Sequence, residues 1–470
     1  MLRGLLRWVD DRLGGARFGT SVLRRIFPDH WSFMLGEVAL YCLVVLIATG
    51  VYLTFFFEPS VREVVYDGPY EPLDGVTMSA AYRSALEISF EVRAGLVMRQ
   101  MHHWAALLFM ASIVVHLARV FFTGAFRRPR ELNWVIGVTL LVLAMFNGFL
   151  GYSLLDDLLS GTGLRVANAI LLSIPVLGPD LAFGFFGGEF PADAMIPRFY
   201  VLHVLVLPAL IVALLSAHLA MVWRQKHTQF RGPGRTEDNV VGSRLWPSYA
   251  AKSVGLFFIV TAVIAALGGL AQINPVWIYG PFRSELAAAA VTSASQPDWY
   301  MGWLDGALRL MPGWEIRVRG FVVPNPFFPG VLLPGVVFTL LYLWPFLEAR
   351  VTRDHEAHHL LDRPRDAPVR TALGTAAFSF FAVLFVAGSN DVLAGSFEVA
   401  PETLTRVFRV AVVGVPVVAF LVTRKLCRDL QGPPERPPAR PARHRVVRRP
   451  DGGFEVLDEE PRDEGVVVPP

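Results

Sequence analysis

The chain is poor in cysteine and in charged residues. It has two cysteines among 470 residues, Cys42 and Cys427, and neither belongs to a CxxC or CxxCH pattern. This excludes a disulfide framework, and it gives no support to iron–sulfur ligation or to covalently attached haem. Only 18% of the residues are charged, whereas soluble domains average about a quarter. An ordinary soluble protein is therefore excluded as well.

The amino-terminal segment lacks the pattern of a cleavable secretory signal. In residues 1–17 the apolar side chains of Leu5, Leu6, Trp8 and Val9 are interleaved with Arg and Asp. We expect this segment to lie on the inner membrane surface as an amphipathic helix. A frayed terminus is the alternative.

Long apolar segments are what the chain has in abundance, since 53% of its residues are hydrophobic. A bilayer core about 30 Å thick needs ~20 apolar residues at 1.5 Å per residue. Eight segments reach or approach that length, and they are 32–57, 97–122, 133–155, 198–223, 251–272, 329–348, 370–393 and 405–423. We therefore predict an all-α integral membrane protein with eight transmembrane helices.

Basic residues cluster in alternate inter-helix segments and near both ends of the chain. The segments concerned contain Arg24, Arg25, Arg127, Arg128, Arg224, Lys226, Arg350, Arg353, Arg424 and Lys425. The positive-inside rule then places these segments and both termini in the cytoplasm. Topology accounts for the basic clusters, so no nucleic-acid partner is predicted.

Composition also divides the chain into four parts. A polar stretch, RQKHTQFRGPGRTEDNVVG, separates helix four from helix five, and a Pro- and Arg-rich stretch follows residue 430. The latter cannot bury a core and predicts a disordered tail. The expected organisation is a cytoplasmic segment (1–30), two four-helix domains (31–232 and 233–430) and a cytoplasmic tail (431–470).

Five of the eleven histidines fall on helices two and four, where ionisable groups are costly and usually functional. His102 and His116 are fourteen residues apart, which places them within about 40° of one helix face and ~21 Å apart. His203 and His218, fifteen apart, lie within about 60° and ~22 Å. His102 thus pairs with His203 near the outer surface, and His116 with His218 near the inner one. Neutral imidazole is a good ligand for haem iron, so two bis-histidine haems are predicted.

Two glycine pairs repeat the histidine separation. Gly36 and Gly50 on helix one, and Gly137 and Gly151 on helix three, are each fourteen residues apart. Glycine lets a flat ring approach the backbone, whereas a lone glycine pair is more often a helix-packing feature. Helices two and four carry the histidines, and helices one and three carry glycines at nearly the same spacing. We therefore predict that the first four helices form a dihaem four-helix bundle.

Three further polar residues lie beside the ligands. His103 is about 100° round the helix from His102, and we expect it to bond elsewhere, although it is the alternative ligand. Arg99 and Arg119 lie about one turn from His102 and His116, where they are expected to pair with haem propionates. Snorkelling to the interface is the alternative for each arginine.

These residues, together with Pro297-Asp298-Trp299-Tyr300, resemble cytochrome b of the quinol–cytochrome c reductase (cytochrome bc) complexes, over about residues 20–427. The family has Pro-Glu-Trp-Tyr at that motif. The resemblance implies bifurcated quinol oxidation. One electron passes to a Rieske iron–sulfur protein and a c-type haem, and the other crosses the membrane through two b haems to a second quinone.

The resemblance also implies a role for each site residue. His102 and His203 correspond to ligands of the low-potential haem, and His116 and His218 to those of the high-potential haem.

For the outer quinol pocket the corresponding residues are Asp298, Tyr300 and Tyr152. For the inner quinone site Lys252 corresponds to a family lysine, and His227 is a candidate quinone contact. A quinol releases two protons, and a carboxylate at the membrane edge can accept one. Without the resemblance, PDWY could be a turn with an aromatic membrane anchor.

The chain departs from the usual family pattern at several places. The Pro-Trp-Gly after helix three is Leu155-Asp156-Asp157, and the acid that neighbours the inner lysine is Ser253. Met34 stands where some relatives carry a cysteine for an extra haem, so no such haem is expected. PDWY, the Leu-Asp-Asp substitution and the Arg, Ala and Pro bias most resemble the actinobacterial form, and the fifteen-residue histidine spacing resembles Gram-positive and photosynthetic relatives.

That form implies menaquinol as substrate, a dihaem cytochrome c subunit and a supercomplex with a terminal oxidase. It further implies a homodimer in the bacterial cytoplasmic membrane. Two other classes were weighed. A dihaem membrane anchor of the b561 or dehydrogenase type has fewer helices and no PDWY segment. A transporter or purely structural subunit leaves the fourteen-residue spacing to chance.

Overall fold

The computed structural model describes residues 22–282, 296–318 and 320–431, some positions before residue 22, and the backbone of 444–448 and 454–458. The amphipathic segment predicted for residues 1–17 lies largely outside the described residues. Most of the predicted tail does too.

The described chain is mostly helical. In chain order the helices are α1 (Trp31–Thr54), α2 (Ala80–Phe90), α3 (Gly95–Phe122), α4 (Glu131–Ser153), α5 (Leu158–Leu172), α6 (Gly178–Phe186), α7 (Met195–Gln225), α8 (Leu245–Leu270), α9 (Val276–Tyr279), α10 (Trp299–Leu310), α11 (Phe328–Thr352), α12 (Pro368–Gly388), α13 (Asn390–Phe397) and α14 (Pro401–Asp429). Within these residues, α1, α3, α4, α7, α8, α11, α12 and α14 are long and apolar enough to cross a membrane. The predicted number of spans and the all-α class are confirmed.

Ten short strands pair two by two. They are β1 (Ile26–Pro28), β2 (Glu63–Val65), β3 (Thr77–Ser79), β4 (Gln229–Phe230), β5 (Gly242–Arg244), β6 (Ile316–Val318), β7 (Phe321–Val323), β8 (Leu360–Leu361), β9 (His444–Arg448) and β10 (Phe454–Asp458). β1 pairs with β5 and β4 with β8, so both pairs join the amino-terminal half of the chain to the carboxyl-terminal half. The other pairs are the local antiparallel hairpins β2–β3, β6–β7 and β9–β10.

The β9–β10 hairpin lies in the tail that the sequence predicted to be disordered. Its strands, HRVVR and FEVLD, carry β-branched and aromatic residues that favour extended backbone. The sequence between them, RPDGG, contains the Asp-Gly pair typical of hairpins. Local patterning therefore outweighs the overall composition in residues 444–458.

Helices α1, α3, α4 and α7 hold the histidines and glycines singled out by spacing. α3 packs against α1, and α7 against α4, while α8 covers α3 and α1 from the other half of the chain. In the carboxyl-terminal half, α12 packs against both α10 and α14. α10 begins directly after Asp298, which is its N-terminal flanking residue. The PDWY motif therefore opens a helix.

Helix α7 contains a π-helical turn over Leu202–Val206, which includes His203. Pro208 has no backbone N–H to donate to the carbonyl of Val204, so regular α-helical bonding cannot continue through this point. A π turn, bonded from i to i+5, takes up one residue more than an α turn. The fifteen-residue separation of His203 and His218 is accommodated in this way.

Two shorter helices, α5 and α6, follow α4. Their apolar faces pack with the start of α7 in one buried cluster that includes Leu164, Phe186, Met195 and Phe199. All four side chains are fully buried. The cluster fixes the start of α7, and with it the position of His203.

Candidate haem and quinol sites

The outer histidine pair lies at the outer ends of α3 and α7. The ring centres of His102 and His203 are 6.2 Å apart, with an interplanar angle of 75°. His102 Nδ1 is 3.0 Å from Thr49 Oγ1, and His203 Nδ1 is 2.9 Å from the carbonyl oxygen of Asn147. Because Thr49 Oγ1 itself donates to the Val45 carbonyl (2.7 Å), it accepts from His102. Each Nδ1–H is thus engaged, which leaves each Nε2 as a lone-pair donor to a metal.

The inner pair, His116 and His218, is half-buried near the inner ends of the same two helices. The Nδ1 atoms of both rings are buried without a hydrogen-bond partner. Burying a polar group without a hydrogen-bond partner is costly. The two Nδ1 atoms are therefore hydrogen-bonding groups that no described side chain satisfies.

Each of the four glycines faces one of the four imidazoles. A Cβ on Gly36 would lie 3.2 Å from His116 Cε1, and one on Gly50 would lie 3.2 Å from His102 Cε1. The corresponding distances are 3.6 Å from Gly137 to His218, and 2.5 Å from Gly151 to His203. The sequence predicted that these glycines leave room for a flat ring. In the structure the ring that lies next to each glycine is an imidazole.

Both predicted arginines are present with free donors. Arg99 is 7% exposed, and two of its nitrogens are bonded, to Ser89 (3.2 Å) and to the Asn274 carbonyl (3.0 Å), while its Nη2 has no partner. Arg119 stacks over the ring of Phe33 at 4.3 Å, and its buried Nε and Nη2 have no partner. Each guanidinium therefore offers unused hydrogen-bond donors beside one histidine pair.

An outer cavity of about 270 Å³ reaches from the outer histidine pair to the PDWY motif. Its lining includes His102, His203, Tyr152, Asp298 and Tyr300. The structure therefore brings all three residues predicted for the outer quinol pocket to one space, next to the outer histidines.

Asp298 is held by two side chains. His103 Nε2 is 2.8 Å from Asp298 Oδ1, and the Tyr300 hydroxyl donates to Asp298 Oδ2 at 3.2 Å. His103 is therefore engaged away from His102, as the sequence predicted. That Asp298 is its partner could not be predicted, because the two residues lie 195 positions apart in the chain.

Asp157 is a fully buried carboxylate outside the membrane helices. Its Oδ1 accepts from the backbone N–H of Ser160 at 2.9 Å, which caps α5, and no hydrogen bond reaches its Oδ2. Burial raises the pKa of Asp157 to about 6, in spite of the Ser160 hydrogen bonds and the nearby Arg99.

We expect Asp157→Asn to stabilise the protein at pH 8 and to have much less effect at pH 4. The folded-state pKa is raised, so the stability contribution is complete below the unfolded value of about 3.9 and is lost as the pH rises through about 6. The gain at pH 8 is up to about 3 kcal/mol, and asparagine can still cap the helix. Thermal unfolding in detergent between pH 4 and 8 measures it. The exposed Asp180→Asn serves as control, and a pH-independent difference at Asp157 would contradict the prediction.

The inner site residues lie near the inner histidine pair. Lys252 Nζ is 2.6 Å from Asp29 Oδ1, and hydrogen bonds from Lys252 and Ser243 hold the pKa of Asp29 below its usual value. Phe27 of β1 contacts the His227 ring at 4.5 Å. Phe27 lies in β1 and Asp29 directly follows it, so Lys252 and His227 contact neighbouring residues of one short segment.

An inner cavity of about 190 Å³ is lined by Asp29, His30, Phe33 and Arg235, among others. His227 is close by, and its buried Nε2 has no hydrogen-bond partner. Burial lowers the pKa of His227 to about 4, and neighbouring arginines add to this effect. His227 is therefore neutral at cellular pH and can accept or donate through its free nitrogen.

Known proteins resemble this chain in sequence and in fold. The family described as "Cytochrome b(N-terminal)/b6/petB" matches residues 107–281. The "Cytochrome bc1 complex cytochrome b subunit" of Streptomyces coelicolor is 51% identical over 424 residues, which cover 90% of this chain and 77% of the relative. The subunit of the same name from Mycobacterium tuberculosis is 54% identical over 410 residues, covering 87% and 74%.

The chain belongs to the cytochrome b subunits of cytochrome bc1 complexes. These relatives are actinobacterial, which confirms the resemblance to the actinobacterial form. A chain of the solved "Hyperthermophilic respiratory Complex III" has the same fold, with a TM-score of 0.63 and 20% identity over 90% of this chain and 99% of that one.

A cytochrome b binds haem, and the residues of this chain fit that group. In the part of the chain that the structure describes, no three His, Cys, Asp or Glu side chains gather as a metal site. Two facing imidazoles are a ligand set that suits a haem iron, because the porphyrin would supply the remaining nitrogens. Metal–imidazole bonds of ~2 Å on both sides of an ion separate two ring centres by ~6 Å, which is the spacing of the outer pair (6.2 Å).

The remaining features also suit haem in this cytochrome b. The glycines admit the imidazoles at close range, and the free donors of Arg99 and Arg119 match the carboxylates that haem carries at its edge. Thr49 and Asn147, which orient the outer imidazoles, were not singled out from the sequence. Asn147 lies one turn before Gly151, and Thr49 directly before Gly50, so the glycine positions were the signal that could have found them.

Proposed function

We propose that this cytochrome b holds two b-type haems, with His102 and His203 as the outer axial ligands and His116 and His218 as the inner ones. The observation that carries the proposal is the outer pair, whose ring centres are 6.2 Å apart with both Nδ1 atoms engaged elsewhere. The haems supply one-electron carriers at two depths of the membrane. We infer that residues 31–232 form the haem domain and 233–430 the domain that completes the outer quinol site.

Haem quantification and reduced-minus-oxidised spectra of the purified complex test this proposal. We expect two b haems per chain in the wild type, with a different one lost in His102→Ala and in His218→Ala, because an axial ligand is removed in each. The matched control is His103→Ala, which removes a neighbouring imidazole and should keep both haems. One haem in the wild type, or loss of haem in His103→Ala, would contradict the ligand assignment.

We propose further that the part of the outer cavity next to the PDWY motif is the quinol oxidation site, with menaquinol as substrate, while the part between the outer histidines holds the haem. Asp298 accepts a proton from a quinol hydroxyl, and His103 and Tyr300 hold the carboxylate in place through its two oxygens. Tyr152 also lines this cavity and is proposed to contact the quinol. The position of this cavity, directly beside the outer histidines, supports transfer of one electron into the chain of haems.

On the inner side, Lys252 and His227 are proposed to bind the second quinone. The support is their joint position at β1, close to the inner histidine pair, with a free buried nitrogen on His227. Electron delivery here with proton uptake from the inner side, together with proton release at the outer site, would contribute to a proton-motive force.

The first electron of each quinol has no acceptor among the side chains of the outer cavity, so partner subunits are needed. We propose a Rieske iron–sulfur subunit as that acceptor, followed by a dihaem c-type cytochrome and a terminal oxidase in a supercomplex. A homodimer in the bacterial cytoplasmic membrane, with both termini in the cytoplasm, completes the proposal. The support is the family membership and the distribution of basic residues.

A further inference from the structure

Glu37 is a carboxylate inside the first membrane helix, at the depth of the inner histidine pair. It follows Gly36, whose Cα faces the His116 ring, and it is half-buried. An ionisable residue at such a depth is costly and is retained where it has a function. Neither the haem ligation nor the outer quinol chemistry uses it.

Every hydrogen-bond partner of Glu37 in the described part of the chain is a hydroxyl. Glu37 Oε1 accepts from the Tyr249 hydroxyl, and Oε2 accepts from Ser253 at 2.7 Å and from Tyr41 at 3.0 Å. Tyr41 and Ser253 are also in contact with each other, at 2.5 Å. The four side chains form a continuous hydroxyl–carboxyl cluster between α1 and α8.

This cluster adjoins the residues proposed for the inner quinone. Ser253 follows Lys252, whose partner Asp29 lines the inner cavity. The Tyr249 ring stacks on Phe27 at 4.6 Å, and Phe27 also contacts the His227 ring at 4.5 Å. Glu37 is therefore linked to Lys252 through its sequence neighbour Ser253, and to His227 through Tyr249 and Phe27.

Helix association alone does not account for a carboxylate at this position. A single hydroxyl–carbonyl or hydroxyl–hydroxyl bond joins two membrane helices and contributes about 0.6–2 kcal/mol. Tyr41 and Ser253 are already close enough to supply such a bond between α1 and α8 without a carboxylate. A carboxylate adds a group that holds and releases a proton, and three surrounding hydroxyls provide a route for it.

We propose that Glu37 supplies a proton to the quinone reduced at the inner site, acting through the hydroxyl cluster. This inference rests on the proposed function. A quinone becomes a quinol by gaining two electrons, delivered singly from the inner b haem, and two protons. Glu37, which accepts from hydroxyls through both of its oxygens, first takes up a proton from water at the inner face and then passes it to the quinone, and the second proton comes from water through the inner cavity.

The test uses the purified complex with all its subunits, in an Asp298→Asn background that impairs the outer site. Added menaquinol then reduces the inner b haem by the reverse reaction at the inner site, which is followed by stopped-flow absorbance. We expect Glu37→Gln to slow this reduction at least about 10-fold, with two haems still bound. Glu131→Gln, at the inner end of α4, is the matched control and should leave the rate unchanged.

Two further measurements separate proton transfer from a structural role. In Glu37→Gln/Ser253→Asp a carboxylate returns to the same cluster, and the rate should recover. The redox-induced infrared difference spectrum should lose a carboxyl C=O band in Glu37→Gln and keep it in Glu131→Gln.

Failure of the role proposed for Glu37 can be distinguished from failure of the proposed inner quinone site. A wild-type rate in Glu37→Gln, or loss of the inner haem in that variant alone, overturns the role of Glu37 and leaves the proposed function standing. If menaquinol does not reduce the inner haem even with Glu37 intact, the inner site itself is wrongly assigned, and the inference falls with it.

Discussion

Asp298→Asn is expected to slow quinol oxidation by about 100-fold or more, the usual effect of losing a general base. Asparagine has nearly the same shape and can still accept a hydrogen bond from Tyr300 or His103, so the cavity should keep its form. What it cannot do is take the proton of the quinol hydroxyl. Steady-state quinol oxidation by the purified complex, with haem content measured on the same sample, gives the result.

Asp305→Asn is the matched control for that experiment. Asp305 lies on the same helix, α10, and is also largely buried, but it pairs with Arg309 at 2.7 Å and does not line the outer cavity. Its variant should oxidise quinol at close to the wild-type rate. Wild-type turnover in Asp298→Asn, or equal loss in both variants, would remove Asp298 from the proposed chemistry.

Gly151→Ala is expected to cost the chain its outer haem. The added Cβ would lie 2.5 Å from Cε1 of His203 and 3.0 Å from both ring nitrogens, far closer than packed carbon atoms approach. His203 must then move, and its Nδ1 loses the 2.9 Å bond to the Asn147 carbonyl. We expect one b haem per chain by pyridine haemochrome analysis. His102 is unchanged in this variant, but it cannot hold the outer haem without His203.

The same substitution at the symmetric position should be tolerated. A Cβ on Gly137 would lie 3.6 Å from His218 Cε1, which is ordinary van der Waals contact. Gly137→Ala should therefore retain two haems, and Gly36→Ala and Gly50→Ala, at 3.2 Å, should fall between the two. Equal haem loss in Gly137→Ala and Gly151→Ala would mean that the imidazole contacts do not set the outcome.

The eight membrane helices were predictable because the length of an apolar segment is a local property that the bilayer selects. The pairing of His102 with His203 was predictable because the periodicity of a helix converts residue spacing into depth. The glycines followed from the same periodicity. These features need only rules that hold along one helix, and the structure agrees with them.

Contacts between distant parts of the chain were not predictable in this way. Spacing on α3 shows that His103 points away from His102, yet only the packing of α10 against α3 reveals Asp298 as its partner. The π turn at Leu202–Val206 is a response to Pro208 and to tertiary packing, and it leaves no periodic signal. Glu37 was overlooked because its cluster is assembled from two helices more than 200 residues apart.

The proposed outer quinol site is completed much later in the chain than the proposed haem ligands. All four proposed ligands have been synthesised by residue 218, whereas Asp298 follows about 80 residues later, or ~4–16 s at ordinary rates of translation. During that interval a nascent chain has all four proposed ligands but lacks the Asp298 carboxylate that would receive a proton from quinol. We expect biogenesis to benefit from this order, because a chain that cannot yet react cannot leak single electrons to oxygen before its partner subunits arrive.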